Sequence, residues 1–433
     1  MIALVDTAAD DPLAPSDQLP LKQLAAKLFD ELFRRTADGA GVTRECYAEG
    51  ENRAIELYRE FSGANGFRCW FDAGANLVVS MPHDDGSEPA LILSSHADSV
   101  PQGGNFDGAA GIIAGLLCLV RLKRESIRPP VPVRVLAMRG EEGAFYGRGE
   151  VGSRSLFGRL DPKDLDARRR GTGRTLREAM MAAAIDVAKI ERGERLIDPS
   201  QFRGYLELHI EQAPVMIARN LSTAIVCGIR GNVRHRKVVC RGEAGHSGAV
   251  PRSLRRDPVF AVSDLLMRMD AHWSALLDRG LDLVVTTGII GTDPKDHAIS
   301  RIADAVSFSF EIRSQSRETI ETVYELFRSE CCSVSDQRGV TFEFDDRILS
   351  EPALMDKGII AKLVQAAKKL GLPGELIASG AGHDAAIFGN AGIPSGMIFV
   401  RNQNGSHNPR EAMDLDDFMD GVNLMFTAVV SGF

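Results

Sequence analysis

The stretch LILSSHADSVPQGGNFDGAAGIIAGLLCLVRLKRES, residues 91–126, carries the fold class. Its first residues, with Ala90, form a short apolar run that reads as a strand over 90–95, and residues 111–126 read as a buried helix. After two prolines comes VPVRVLAM, residues 131–138, short, apolar and β-branched, the pattern of a strand buried on both faces. Strand, helix and strand in succession imply a central sheet covered by helices. The expected class is therefore α/β.

Outward from this unit, residues 21–38 space their apolar side chains as a helix, and residues 76–81 (NLVVSM) read as a further strand. Residues 161–203 are rich in charge and glycine. Within them Arg168, Arg169 and Arg170 read as a solvated helix face. The texture changes near residue 223, where TAIVCGIRG and NVRHRKVVCRGEA read as paired strands. A helix over 257–279, strands at 283–290 and 305–313, a helix near 317–333 and a strand at 340–345 follow. Helix then resumes at 357–371 and buried strand at 395–400. The expectation is a discontinuous domain, 1–222 with 349–433, interrupted by a compact α+β insert at 223–348.

A chain of 433 residues, 44% hydrophobic, exceeds one core and can fill two. Its formal charge of −8 argues against a surface built to neutralise phosphates or to lie on an anionic membrane, so small-molecule chemistry is expected. The N-terminus, MIALVDTAADDPLAPSDQLP, lacks the basic flank and apolar core of a secretory signal, and no apolar stretch reaches spanning length. A cytoplasmic protein is expected, and its seven scattered cysteines, without a CxxC pair, read as reduced packing residues.

The chemistry is expected where strands end. His96 closes the strand at 90–95, and a glycine-rich turn delivers Asp107 just before the helix; glycines 103, 104 and 108 let the turn fold tightly enough for Asp107 to point back at His96. Asp98, two residues beyond His96, is placed to accept the second imidazole N–H and fix the ring. The next strand runs into Glu141 and Glu142, whose side chains must diverge: one can bind metal while the other faces a water as general base. His209 lies in the strand-like YLELHIEQ and His407 in a loop after a buried strand. His96, Asp107, Glu142, His209 and His407 thus supply enough ligands for two metals sharing Asp107, with Glu141 free to take a proton.

In order, HADSVPQGGNFDG, EEG, ELHIEQ, AGHSG, SGAGHDA and GSHNPREAM resemble the motifs of the zinc-dependent amidohydrolases that include N-carbamoyl-L-amino-acid hydrolases, β-ureidopropionase and allantoate amidohydrolase. The resemblance spans residues 94 to 413. It implies an aminopeptidase-like α/β domain with an inserted lid through which two copies dimerise. It further implies two divalent ions, zinc with manganese or cobalt as alternatives. His96, Asp107 and His209 would hold one, Asp107, Glu142 and His407 the other, with Glu141 as catalytic base. Substrate contacts would come from Gln212, His383, His246 and Arg313, with Arg313 gripping a carboxylate and His246 stabilising the oxyanion, across a dimer. The implied activity is hydrolysis of the C–N bond of an N-carbamoyl or N-acyl L-amino acid, with allantoate, dipeptides and acyl amino acids as the neighbouring alternatives. Three departures stand out. Ser300 occupies the contact position of a lid asparagine, thirteen residues before Arg313; AVPR, with Arg252, follows the lid histidine's glycine; and FVRNQNGSH replaces the commoner FVPS pattern.

Two other classes fit the sequence less well. Gly147, Gly149 and Gly152 spell the GxGxxG of a dinucleotide site, but EEGAFY intervenes after the strand, and the downstream segment LDPKDLDARRR is no strand closed by an acidic residue. A non-catalytic binding protein would have lost the base or a ligand, and neither is lost.

Overall fold

A computed structural model of the chain describes residues 19–432. Most of the N-terminal stretch scanned for a secretory signal, residues 1–18, lies outside them. Among the described residues no helix is long and apolar enough to cross a membrane, and the seven cysteines are free thiols, mostly buried.

Contacts divide the chain into two compact units, one running to Cys227 and resuming at Leu354, the other Gly228–Ala353. A nine-stranded sheet organises the first. At its centre Ser395–Val400, Phe202–Ile210, Ala90–His96 and Val133–Met138 lie side by side, all parallel. Leu77–Ser80 and Arg68–Phe71 continue the sheet antiparallel beyond Val133–Met138. Three of the four central strands are buried along their whole length, which is why they read as continuous apolar runs rather than as alternation. The helix Ala109–Arg124 is buried on nearly every side and packs on this sheet, with Leu415–Val430 and Leu21–Thr36 closing the layer. Because the four strands are parallel, their carboxyl ends open on one edge, the place where such sheets bind ligands.

Gly228–Ala353 holds a six-stranded sheet in which Val284–Thr286, Ala305–Ser314, Gly231–Arg241 and Thr341–Phe344 follow one another, each antiparallel to the next. Ala305–Ser314 alternates buried and half-buried residues, so one face packs under the helices Pro258–Asp278 and Arg317–Arg338.

Three expectations need correction. Thr223–Ile229 does not pair with the strand that follows it; it joins the central sheet antiparallel to Ser395–Val400. Its apolar residues can bury in either sheet, so periodicity cannot name the partner. Arg168 to Arg170 lie on no helix: Arg168 and Arg170 are exposed, and Arg169 is half-buried and bonds Glu45 at 2.7 Å. The strand expected at 283–290 is broken, with Val284–Thr286 and Ile290–Gly291 pairing separately with Ala305–Ser314.

Candidate active site

Each central strand delivers one part of a cluster at the carboxyl edge. His96 is the last residue of Ala90–His96, and His209 is the penultimate residue of Phe202–Ile210. Glu141 and Glu142 follow Val133–Met138, and His407 lies in the loop after Ser395–Val400. Asp107 reaches the same point through Gly108, whose φ of +68° an L side chain rarely adopts. A Cβ there would also fall 2.4 Å from the His96 carbonyl and 2.5 Å from its ring.

Two donor sets share one carboxylate. On one side Nε2 of His96 and Nε2 of His209 are 3.3 Å apart, and Asp107 Oδ1 lies 3.5 Å and 3.1 Å from them. On the other, His407 Nε2 is 3.4 Å from Asp107 Oδ2 and 3.5 Å from Glu142 Oε1. Both triads bring their ligand atoms within 4.8 Å of one another.

The residues fit metal ions on two further grounds. Nδ1 of His209 faces the Ile210 carbonyl at 2.8 Å and Nδ1 of His96 the Asp98 carbonyl at 3.1 Å, so a ring that donates there leaves its Nε2 facing the cluster. Two ring nitrogens and a carboxylate oxygen converge on one point, the kind of donor set a divalent cation takes. Asp107 Oδ1 and Glu142 Oε1 are moreover buried with no hydrogen-bond partner, the costly condition that coordination relieves.

The electrostatics agree. Burial opposes ionisation of Asp107, yet the three histidines that face its carboxylate, His209, His407 and His96, outweigh it and hold the carboxyl well below its usual range. Burial, reinforced by the Asp107 charge, pushes Glu142 up to about 7. A hydrogen bond with Asp107 carries His407 up to about 9. Burial also raises Glu141 well above a normal carboxyl, with His96 opposing and the Glu142 charge adding to the rise. The two glutamates diverge, Glu142 toward His407 and Glu141 toward the other set, its Oε2 3.9 Å from His96 Nε2.

Asp98 sits differently from the expectation. The strand ends at His96, and the Asp98 carboxylate accepts the backbone N–H of Glu141 at 3.1 Å and of Glu142 at 2.9 Å, while its Oδ1 stays 3.4 Å from His96 Nδ1. It therefore ties the two glutamates to the histidine strand, a task that the HxD spacing alone could not reveal. Gln212 joins the cluster directly, its Nε2 donating to Asp107 Oδ2 at 2.9 Å. His383 lies under it: the ring stands edge-on to His209, centroids 4.5 Å apart, and bonds Ser379 Oγ at 2.9 Å. Burial, with His209 and His96 nearby, holds His383 well below the usual histidine range.

In the Gly228–Ala353 unit, His246 is exposed on a two-residue strand and pairs in register with Arg301; Ser247 N donates to Ser300 O at 2.9 Å, so His246 and Ser300 lie on neighbouring segments. Arg313 lies on the larger sheet with Glu311 at 3.0 Å. Residues 139–150 separate Val133–Met138 from the short helix Val151–Leu156, so the GxGxxG glycines form no strand-to-helix phosphate turn.

Sequence reading missed Arg44, Glu207, Ser406 and Glu411. Glu207 is buried beneath His209 and accepts the Ala385 N–H at 3.0 Å; Ser406 Oγ donates to Asp107 Oδ2 at 2.7 Å. Glu207, Ser406 and Glu411 stand inside quoted motifs, which was the available signal. Arg44 gave none.

The sequence model described as "Peptidase family M20/M25/M40" matches residues 92–431. The chain belongs to this family. Among its relatives, an N-carbamoyl-L-amino acid amidohydrolase of Geobacillus stearothermophilus is 31% identical, with 90% of this chain and 93% of the relative aligned. An allantoate amidohydrolase of Escherichia coli (strain K12) is 28% identical over 90% and 92% of the two chains. The crystal structure of a hydantoinase/carbamoylase family amidase from Burkholderia ambifaria superposes with a TM-score of 0.81 at 27% identity, covering 94% of this chain and 97% of that one. The M20 chain is thus a hydrolase of linear amide C–N bonds with a metal-binding cluster.

Proposed function

We propose that this chain hydrolyses an N-carbamoyl or N-acyl L-amino acid through two divalent ions bridged by Asp107. The observation that carries the reading is the division of Asp107: each carboxylate oxygen faces its own set of donors. His96 and His209 would hold one ion, Glu142 and His407 the other. Zinc is the first candidate and manganese or cobalt the alternatives, since imidazole and carboxylate accept all three. Bound there, the ions would polarise the scissile carbonyl and acidify an attacking water.

The chain's own groups would do the rest. Glu141 takes the water's proton as its oxygen adds to the acyl carbon, and returns it to the departing nitrogen as the C–N bond breaks. A carbamoyl substrate then yields the free amino acid, carbon dioxide and ammonia. Asp98 holds Glu141 and Glu142 in place through their backbone N–H groups. Gln212 and His383 would line the pocket beside the ions. The second unit, Gly228–Ala353, would serve as lid and dimerisation domain, offering Arg313 to the substrate carboxylate, His246 to the oxyanion across the dimer, and Ser300 where the family resemblance leads one to expect asparagine. A cytoplasmic location fits this chemistry.

A metal-reconstituted screen of N-carbamoyl, N-formyl and N-acetyl amino acids together with allantoate, reading ammonia and free amine, tests the proposal. Turnover of the carbamoyl series above the others supports it, turnover of allantoate above the series moves the assignment to that substrate, and turnover of none refutes both.

A further inference from the structure

We infer that Arg44 and Glu411 are positioning residues that clamp the Asp107 peptide from both sides, so that the metal affinity of the whole site depends on them. The inference rests on the two-metal reading above. Glu411 Oε1 accepts the backbone N–H of Phe106 at 2.9 Å and of Asp107 at 3.2 Å, and Oε2 lies 2.5 Å from Ser406 Oγ. Glu411 therefore binds the Asp107 loop to the loop that carries His407. It fits only because residue 104 is glycine: a Cβ there would fall 2.1 Å from the Glu411 carboxyl carbon. From the other side Arg44, fully buried, donates through Nη2 to the Asp107 carbonyl at 3.1 Å and through Nε to the Ala97 carbonyl at 2.9 Å. Ala97 directly follows His96, so one guanidinium joins the exit of the histidine strand to the bridging aspartate. Arg44 is itself fixed, its N–H bonding Ser99 Oγ at 2.9 Å and its carbonyl the Ser99 N–H at 3.0 Å.

Burying a guanidinium against carbonyls alone is expensive, and the N–H and C=O of the Asp107 peptide are the groups that set its carboxylate's direction. A shared ligand magnifies any error, because a tilt that spoils one set of distances spoils the other.

The test titrates metal into the demetallated full-length chain, reading metal per chain and the metal concentration that gives half the full rise in Tm. Arg44→Lys replaces a fork by a single point donor, and Glu411→Ala removes both acceptors. Each should raise the half-saturating concentration roughly ten- to a hundredfold, the usual cost of losing a partner that orients a ligand. Glu411→Gln keeps a carbonyl oxygen for the two N–H groups and should stay within a few-fold of native. Asp84→Asn breaks the buried pair with Arg134, 2.7 Å apart at the start of the same strand that leads to Glu141; it should lower the metal-free Tm without moving half-saturation. Unchanged half-saturation in Arg44→Lys and Glu411→Ala, or a loss in Glu411→Gln equal to that in Glu411→Ala, overturns the clamp. If Arg44→Lys fails to fold, the Glu411 pair decides alone. Native chain that takes up no metal overturns the two-metal reading instead, whereas native uptake with unaffected variants overturns only the clamp.

Discussion

On one side of Asp107 stand His96 and His209, each 1% exposed; on the other stand Glu142, 7% exposed, and His407, 53% exposed. The difference follows from what delivers them. His96 and His209 come from the ends of buried strands whose neighbours fix them, whereas His407 projects from a loop with its own φ at +59°. One half-site is therefore caged by the sheet and the other is open to water, though a single carboxylate joins them. An ion in the open half should exchange more readily, because fewer fixed elements must move to release it.

The largest expected effect breaks both halves together. Asp107→Ala should leave less than one ion per chain by metal analysis and cut turnover by roughly ten thousandfold or more, beyond the ~10²–10⁴-fold owed to a general base alone. Two ions retained in that variant would show that the halves do not share Asp107. Next comes Glu141→Gln, which should keep both ions while losing about 10²–10⁴ in kcat if Glu141 is the proposed base and holds neither ion. Loss of an ion in Glu141→Gln, with both kept in Glu142→Gln, would exchange the two roles.

How far sequence reached into this site follows from the same contrast. Polar residues that close buried strands are legible in the sequence because a continuous apolar run marks the strand and the polar residue after it marks the edge: His96 and the Glu141–Glu142 pair carry that signal. The residues that orient them were not. Arg44 and Glu411 act on backbone groups of a loop 63 and 304 positions away, and no local pattern encodes such a meeting. Asp98 was expected to hold the imidazole, but its carboxylate goes mainly to two peptide N–H groups that become available only when the strands lie in register. Thr223–Ile229 shows the limit for the fold: its pattern identified a strand and left its partner open.

A smaller effect concerns recognition rather than the ions. Removing a charged group's buried partner costs about 2–5 kcal/mol, so Arg313→Ala should lower kcat/KM roughly thirtyfold or more on a carboxylate-bearing substrate. An analogue with that carboxylate amidated should suffer far less. Ser300→Asn should shift preference toward ordinary N-carbamoyl amino acids. Equal losses on both substrates, with no shift from Ser300→Asn, would place recognition elsewhere, Arg252 being next.

The most direct test of the two halves is stepwise chelation of the native chain, following metal per chain and activity together. Two ions should leave in separate steps, the first at lower chelator concentration and slowed or hastened by substitutions at His407 but not at His209, and activity should return when metal is restored. Full activity in a chain stripped of all metal, or a chain that never holds more than one ion, would contradict the account.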